Sequence, residues 1–301
     1  IFTVGTAYSS GLSGITRNAG DFEVFGHELL ISANIIQKAD FKWDLILNWS
    51  TSEGKVLEIP DDIESIIFAD SGFAGVTSEI RAGDKMGTLY GWKWRYENGQ
   101  RYIASNGLPE VDFTERQKVG NAFPDFISSV GSNFKYKGLG FNFLLEYKKG
   151  GDLYDSGLRN SVRNGNPMST LIRDELVVLD GVMDDGSGGF VTNTGEGLID
   201  QNYYRSSTQY NRASEVLVQD ASWVKLRNVS LSYDIDSKFI SDLNLSKVSI
   251  TASANNLLLW TPFDGFDPEG NQYSAGSNVY GFTGLSVPIS ESYSFGINIG
   301  F

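Results

Sequence analysis

The chain has 301 residues, with 37 acidic against 24 basic side chains, and the formal net charge of −13 excludes a nucleic-acid binder, which must neutralise phosphates with clustered Lys and Arg. The absence of cysteine excludes disulfides, Cys-zinc sites and thiol nucleophiles together. With 34 glycines, 7 prolines and 13% aromatics, the composition suits an all-β protein rich in turns and disfavours a helical bundle.

Apolar runs such as Leu29-Leu30-Ile31 and Leu257-Leu258-Leu259-Trp260 fall far short of the roughly 20 residues a membrane-spanning helix needs, so a membrane reading rests on strands. The chain opens at Ile1 with neither an initiator Met nor a signal peptide, and it reads as a fragment of a longer polypeptide.

In chain order, the first alternating segment is 23–37, where Phe25, Leu29, Ile31, Ala33 and Ile35 share a face with the sole histidine, His27. In 40–50, Phe41, Trp43, Leu45, Leu47 and Trp49 oppose Lys42, Asp44, Asn48 and Ser50, and only Ile46 breaks the pattern. A long connection, 51–125, follows; within it Asn98-Gly99, between Trp92-Lys93-Trp94-Arg95-Tyr96 and Arg101-Tyr102-Ile103, predicts a two-residue hairpin turn. Segment 126–137 carries Val130, Phe134 and Tyr136; after Gly138, segment 139–149 sets Leu139, Phe141, Phe143, Leu145 and Tyr147 opposite Gly140, Asn142, Leu144, Glu146 and Lys148. A second long connection, 151–219, has helical character at 168–178. Then come 222–235 (Val229, Leu231, Tyr233, Ile235), a compact turn at 236–244, and 245–260 (Val248, Ile250, Ala252, Ala254, Leu258, Trp260). A third long connection, 261–289, leads to Tyr293, Phe295, Ile297, Ile299 and Phe301, which alternate with Ser292, Ser294, Gly296, Asn298 and Gly300.

These about seven strands are of the length, about 9 to 11 residues, with which a tilted strand crosses a bilayer. Their connections alternate short and long, as do the periplasmic turns and extracellular loops of an outer-membrane barrel. Seven strands do not close around a lumen, and lipid does not tolerate an open sheet edge, so further strands must come from elsewhere. In this frame Trp43, Trp49, Tyr136, Tyr147, Tyr233 and Trp260 are girdle residues at headgroup level, while Asp44, Asn48, Asn142, Glu146, Lys148, Asn255 and Asn298 face the lumen.

Signs of catalysis are sparse. His27 has no second His for zinc-ligand spacing or a triad, and no G-x-S-x-G elbow, Walker loop or dinucleotide fingerprint occurs, so no catalytic residue is assigned. Asp180, Asp184 and Asp185 offer hard oxygen ligands to Ca²⁺, as do Asp264, Asp267 and Glu269, although neither set follows the EF-hand pattern and solvated turns explain both more simply. Trp92, Trp94 and Tyr96 share one face of the expected hairpin, and Tyr203, Tyr204 and Tyr210 lie in the next loop. Aromatic platforms suit sugar rings, which makes these six the candidate substrate-binding residues; the competing reading is that they pack the loops.

Taken in order, the stretches SGLSGITRNAGDFEVFGHELLISANI (10–35), FKWDLILNWS (41–50), VGNAFPDFISSVGSNFKYKGLGFNFLLEYKKGGDLYD (119–155), ASWVKLRNVSLSYDI (221–235), VSITASANNLLLWTPFDGFDPEGN (248–271) and SYSFGINIGF (292–301) resemble the SusC/RagA family of TonB-dependent outer-membrane transporters. The resemblance spans nearly the whole chain. It implies an antiparallel transmembrane barrel of 22 strands, of which residues 1–301 supply the C-terminal portion, while the plug domain and the TonB-contacting segment lie outside this chain. It further implies a cell outer membrane location, a SusD-like surface lipoprotein as lid, and import of glycans or oligopeptides energised through TonB. Phe301, aromatic and terminal on an alternating strand, resembles the signal read by the barrel-insertion machinery. One departure is SNVYGFTGLSVPISES before the last strand, where the family carries a Pro-Arg approach. The rival expectation is a secreted carbohydrate-binding or adhesive β-protein, in which the apolar strand faces pack into a closed interior.

Overall fold

A computed structural model describes the chain except residues 1, 6–7, 19, 62, 72–73, 236–244, 274–278 and 285. Alternation decides the main element. Seven strands, β1 (Asp21–Gln37), β2 (Phe41–Glu58), β3 (Pro124–Tyr136), β4 (Leu139–Gly150), β5 (Trp223–Asp234), β6 (Lys247–Trp260) and β7 (Ser292–Gly300), form one sheet in which each pairs with the next in sequence. All six pairings are antiparallel. The seven expected segments are thus all strands, and β1 and β2 outrun expectation at 17 and 18 residues. Their far ends leave the sheet's plane of alternation and enter packed surroundings, where Val56 is buried against Ile59, Ile66 and Ile80.

The short turns lie at one end of the sheet and the long connections at the other. Between β3 and β4, Lys137 (φ 44) and Gly138 (φ 89) make a two-residue turn whose positive φ at both positions matches the right-handed twist of the flanking strands. The expected turn at 236–244 lies outside the described residues. At the opposite end, residues 59–123, 151–222 and 261–291 build a second layer of short sheets, among them a four-stranded one formed by Ile66–Asp70, Thr77–Ile80, Thr88–Trp94 and Val111–Asn121. The Asn98-Gly99 hairpin forms as read, with φ 51 and 77 and Tyr96–Glu97 paired to Gln100–Arg101.

The expected helix at 168–178 does not form. Met168–Thr170 makes a single 3-10 turn, Asp174 takes φ 54, and Glu175–Val178 becomes a strand paired with Glu196–Ile199. A left-handed residue interrupts the helical path, and the strand partner supplies the backbone hydrogen bonds that a helix would have made internally. The helices of this loop lie elsewhere: α1 (Ser156–Arg163), whose N-terminal N–H groups are accepted by the Asp155 carboxylate, and α2 (Gln201–Arg205), capped in the same way by Asp200.

The apolar core sits in this loop layer. Ala69, Ala74, Val76 and Leu89 from the first long connection, Tyr154 and Leu217 from the second and Phe282 from the third form one buried cluster. The three loops are therefore joined through one shared buried cluster.

Candidate functional site

Cross-strand register shows what the sheet's two faces offer. One row runs Trp43, Phe134, Phe141, Leu231, Ala252, Phe295, and a second runs Phe41, Tyr136, Leu139, Tyr233, Ile250, Ile297. Every expected apolar face falls on the same side. These side chains do not meet each other in a closed interior: Leu29, Ile31, Phe141, Leu231, Ile250 and Ile297 are exposed, and Phe295 is 85% exposed. Burying one such side chain is worth about 1.5–3 kcal/mol, so a continuous band of them left open is matched to an apolar solvent.

The six residues expected in a girdle all lie on this face, five of them in two cross-strand rows. Tyr136 and Tyr233 lie in one cross-strand row next to the short turns, whereas Tyr147, Trp49 and Trp260 lie near the loops, opposite Ser128 and Val224. Eight residues separate Tyr136 from Ser128 along β3, roughly 27 Å of strand and about 20 Å of bilayer depth at the usual barrel tilt. Trp43 stacks on Phe134 at 5.5 Å, and its indole N–H donates to Ser132 Oγ at 2.9 Å, so its polar edge is satisfied. One detail of the expected pattern shifts: a bulge at Ile35 puts Ile36, not Ile35, opposite Trp43.

The other face is mainly polar and internally bonded, with Leu30, Ile46 and Leu144 as exposed apolar exceptions. Asn34 and Gln37 donate to Asp44 at 2.6 and 2.8 Å, Ser230 donates to Asn142 at 2.8 Å, and Asn228 donates to Asn255, which donates on to Ser292. Asn48 and Asn298 stand on this face opposite Ser129 and Ser249. Near the loops the face becomes charged. Arg227 donates to Glu146 at 2.5 Å and grips Glu269 through two nitrogens at 2.8 and 2.5 Å, while Lys225 reaches Glu269 at 2.5 Å and Asp267 at 3.1 Å. The Trp223 ring lies beneath both cations, 4.7 Å from Arg227 and 5.4 Å from Lys225. Asp267 also accepts from the backbone N–H of Glu269 and of Ile289, so one carboxylate ties the third loop to the wall and to the residues leading into β7. Burial pushes the Asp267 and Glu269 carboxyls up, but the N–H donors and the two cations outweigh it and leave both below the ordinary carboxylate range.

Lys225, Arg227 and Trp223 were not singled out from the sequence. Their signal is a phase change: Val224 and Leu226 share a face with Val229, Leu231 and Tyr233 although the parity differs, because Arg227 is an extra residue relative to β4. Such a bulge re-aims side chains, and here it turns Arg227 to the side that Lys225 already occupies.

The loop aromatics mostly line the packed layer. Trp94 is buried with Val111 and Ala213; Trp92 is half-buried, edge-on to Phe113 at 5.4 Å. Tyr203 and Tyr204 are buried and contact each other and Tyr210 at 5.1 to 6.0 Å, and burial pushes the Tyr203 hydroxyl up to about 12. Of the six, Tyr96 is the one exposed, its hydroxyl donating to Glu215 at 3.2 Å. Among the acidic residues considered for Ca²⁺, Asp267 and Glu269 face Lys225 and Arg227, and Asp184 and Asp185 accept from turn N–H groups of Gly186, Ser187 and Gly189. Among the described residues no group of three or more His, Asp or Glu is gathered as a metal set. His27 is exposed on the apolar face of β1, and Phe301 is 95% exposed beyond β7.

No family model matches the chain. It is 25% identical to TonB-dependent receptor P3 of Formosa agariphila over 97% of its length and 30% of that protein's, and 24% identical to TonB-dependent receptor P39 of the same organism over 100% and 32%. It is 22% identical to TonB-dependent receptor SusC of Bacteroides thetaiotaomicron over 88% of its length and 26% of that protein's. The chain thus spans about a third or less of these relatives. Its fold superposes on the RagAB peptide importer in the closed-closed state with a TM-score of 0.67 and 16% identity, covering 99% of this chain and 32% of that one, and on the open-open state with a TM-score of 0.68. In sequence the chain is similar to TonB-dependent receptors, SusC among them, over nearly its whole length, and its sheet of seven antiparallel strands has the fold of the corresponding part of RagA.

Proposed function

We propose that the chain is the C-terminal portion of a nutrient importer of the outer membrane, energised through TonB and closed from outside by a SusD-like lipoprotein, with glycans or oligopeptides as cargo. The observation that carries this reading is the uninterrupted apolar face across all seven strands, left open while the reverse face is mainly polar and hydrogen-bonded. Among the described residues both edge strands, β1 and β7, also lack a second partner, which the remaining strands of a longer polypeptide would supply. In this arrangement the polar face lines the lumen or holds the plug, the loop layer forms the vestibule, Tyr96 offers an aromatic face to cargo or lid, and Phe301 marks the strand read at insertion.

A secreted adhesive or carbohydrate-binding protein would need the apolar faces packed against one another, and they are apart. The deciding experiment is purification from native membranes, followed by mass spectrometry of co-purifying chains and bound small molecules. Recovery in the detergent-extracted outer-membrane fraction with a lipoprotein partner is expected; recovery of this chain as a lone soluble species overturns the reading.

A further inference from the structure

Within the second long loop, Arg159 and Arg163 of α1, Arg205 at the end of α2 and Arg212 line one open cavity of about 280 Å³ together with Ser207 and Asn211. This gathering is unexpected in a chain of net charge −13. Arg159 and Arg163 stand at i and i+4 on one helix face, a like-charge spacing that disfavours the helix. Among the described residues no carboxylate pairs with Arg159, Arg163 or Arg205, and the Nε atoms of Arg159 and Arg163 are buried without a hydrogen-bond partner. Several arginines elsewhere are paired with carboxylates, Arg81 with Glu79, Arg95 with Glu97 and Glu110, and Arg227 with Glu146 and Glu269, while Arg173 donates to the carbonyls of Gly165 and Thr170. Burial holds the Arg159 guanidinium below its ordinary value; Tyr154 opposes this, and the charges of Arg163 and Arg212 add to it.

The buried Nε donors of Arg159 and Arg163 without acceptors, and the lack among the described residues of a carboxylate paired with Arg159, Arg163 or Arg205, describe a site awaiting an anion. We propose that this arginine cavity in the second loop binds a tetrahedral oxyanion, a sulfate or phosphate ester carried on the imported molecule. Several guanidinium forks around one cavity suit a group with three free oxygens, whereas a carboxylate, with two, is satisfied by a single fork. The inference rests on the importer reading and narrows its cargo to molecules bearing such an ester.

The test uses the full-length receptor in detergent and measures, by calorimetry, the binding of a heparin-derived tetrasaccharide, a phosphoserine tetrapeptide, tetraglutamate and an uncharged tetrasaccharide. We expect at least one ester-bearing probe to bind tenfold or more tightly than the uncharged one, and the Arg159→Gln/Arg163→Gln variant to lose at least tenfold of that affinity. Lys137→Gln, at the opposite end of the sheet, should change nothing. Which ester-bearing probe binds tells whether the group arrives on a sugar or a peptide. Should the double variant fail to migrate as a heat-modifiable folded barrel, Arg205→Gln replaces it, with a threefold or greater loss expected. Equal binding of charged and uncharged probes, tightest binding of tetraglutamate, unchanged affinity in the variants, or loss of a co-purifying lipoprotein without loss of probe binding overturns the proposal. None of these outcomes touches the outer-membrane location, which the fractionation decides separately.

Discussion

At the residue scale, the clearest energetic commitment is Lys225. Its side chain is 6% exposed against 8% for Asp267, so removing it leaves a buried carboxylate with only two backbone donors. Breaking a buried pair costs about 3–5 kcal/mol, and the retained N–H groups place Lys225→Met near the lower end. The expected readout is local: amide exchange across 261–291 should accelerate on the order of 100-fold, while β3 and β4 keep their protection. Acid should act at the same place. The folded pKa values of Asp267 and Glu269 lie below their unfolded ones, so their contribution is present above the ordinary carboxylate range and is lost as pH falls through the depressed values. Limited pepsin digestion at pH 2 to 4 should therefore cut the third loop before any other, and Glu269→Gln should move the onset of cutting to higher pH. The carboxylates were legible in the sequence as a candidate set, but their partners were not, because Lys225 and Arg227 lie more than 40 residues away and pair with them only through tertiary contact.

At the scale of the element, what matters is which face a strand presents. Phe141 and Asn142 are neighbours in β4 yet point to opposite sides. A lysine on the lipid side of a barrel costs about 2–4 kcal/mol near the bilayer midplane and about 0–1 near the interfaces, whereas one facing the lumen does not, so Phe143→Lys, midway between the two aromatic rows, should lower the folded fraction in vesicles more than Phe141→Lys, and Asn142→Lys should leave it near wild type. Equal yields would contradict the facing of the sheet. The bulge at Arg227 makes a sharper claim: because Arg227 is the extra residue, deleting it leaves β5 in strict alternation with Lys225 still opposite Glu146, so electrophoretic assays of assembly should still show folded material, whereas inserting a residue after Leu231 should turn Lys225 toward lipid and leave little. Strand existence was legible for the seven wall strands because a period of two over ten residues has few rivals, and it was missed in the loop layer, where strands such as Val111–Asn121 were read as connection. The bulges were legible only as breaks in parity, between Leu226 and Val229 and around Ile35, and the helix expected at 168–178 failed because its residues found a strand partner in Glu196–Ile199.

For the molecule as a whole, apolar burial and apolar exposure are separated by layer. The buried cluster shared by all three loops lies outside the bilayer band, and the band itself exposes its greasy side. Tryptophan quenching by brominated lipid should therefore split the six indoles: Trp43, Trp49 and Trp260 lie on the open apolar face, while Trp94 and Trp223 are buried away from it and Trp92 is half-buried against Phe113 in the loop layer. Replacing Trp43, Trp49 and Trp260 together with Phe is expected to lower the quenching in reconstituted receptor, and replacing Trp92, Trp94 and Trp223 together is expected to leave it unchanged. Unchanged quenching in the first variant would place the membrane elsewhere on the surface.

The sequence by itself determined the strands, their facing and the alternation of short and long connections, because each of these is a local property of side-chain periodicity and turn chemistry. Only the tertiary structure decided which loop residues meet. The aromatics and acids of three long connections carry no period, and their partners come from distant segments: Asp267 and Glu269 from the wall cations, Tyr203 and Tyr204 from one another and Tyr210, and the arginines of the second loop from two helices folded onto the same cavity.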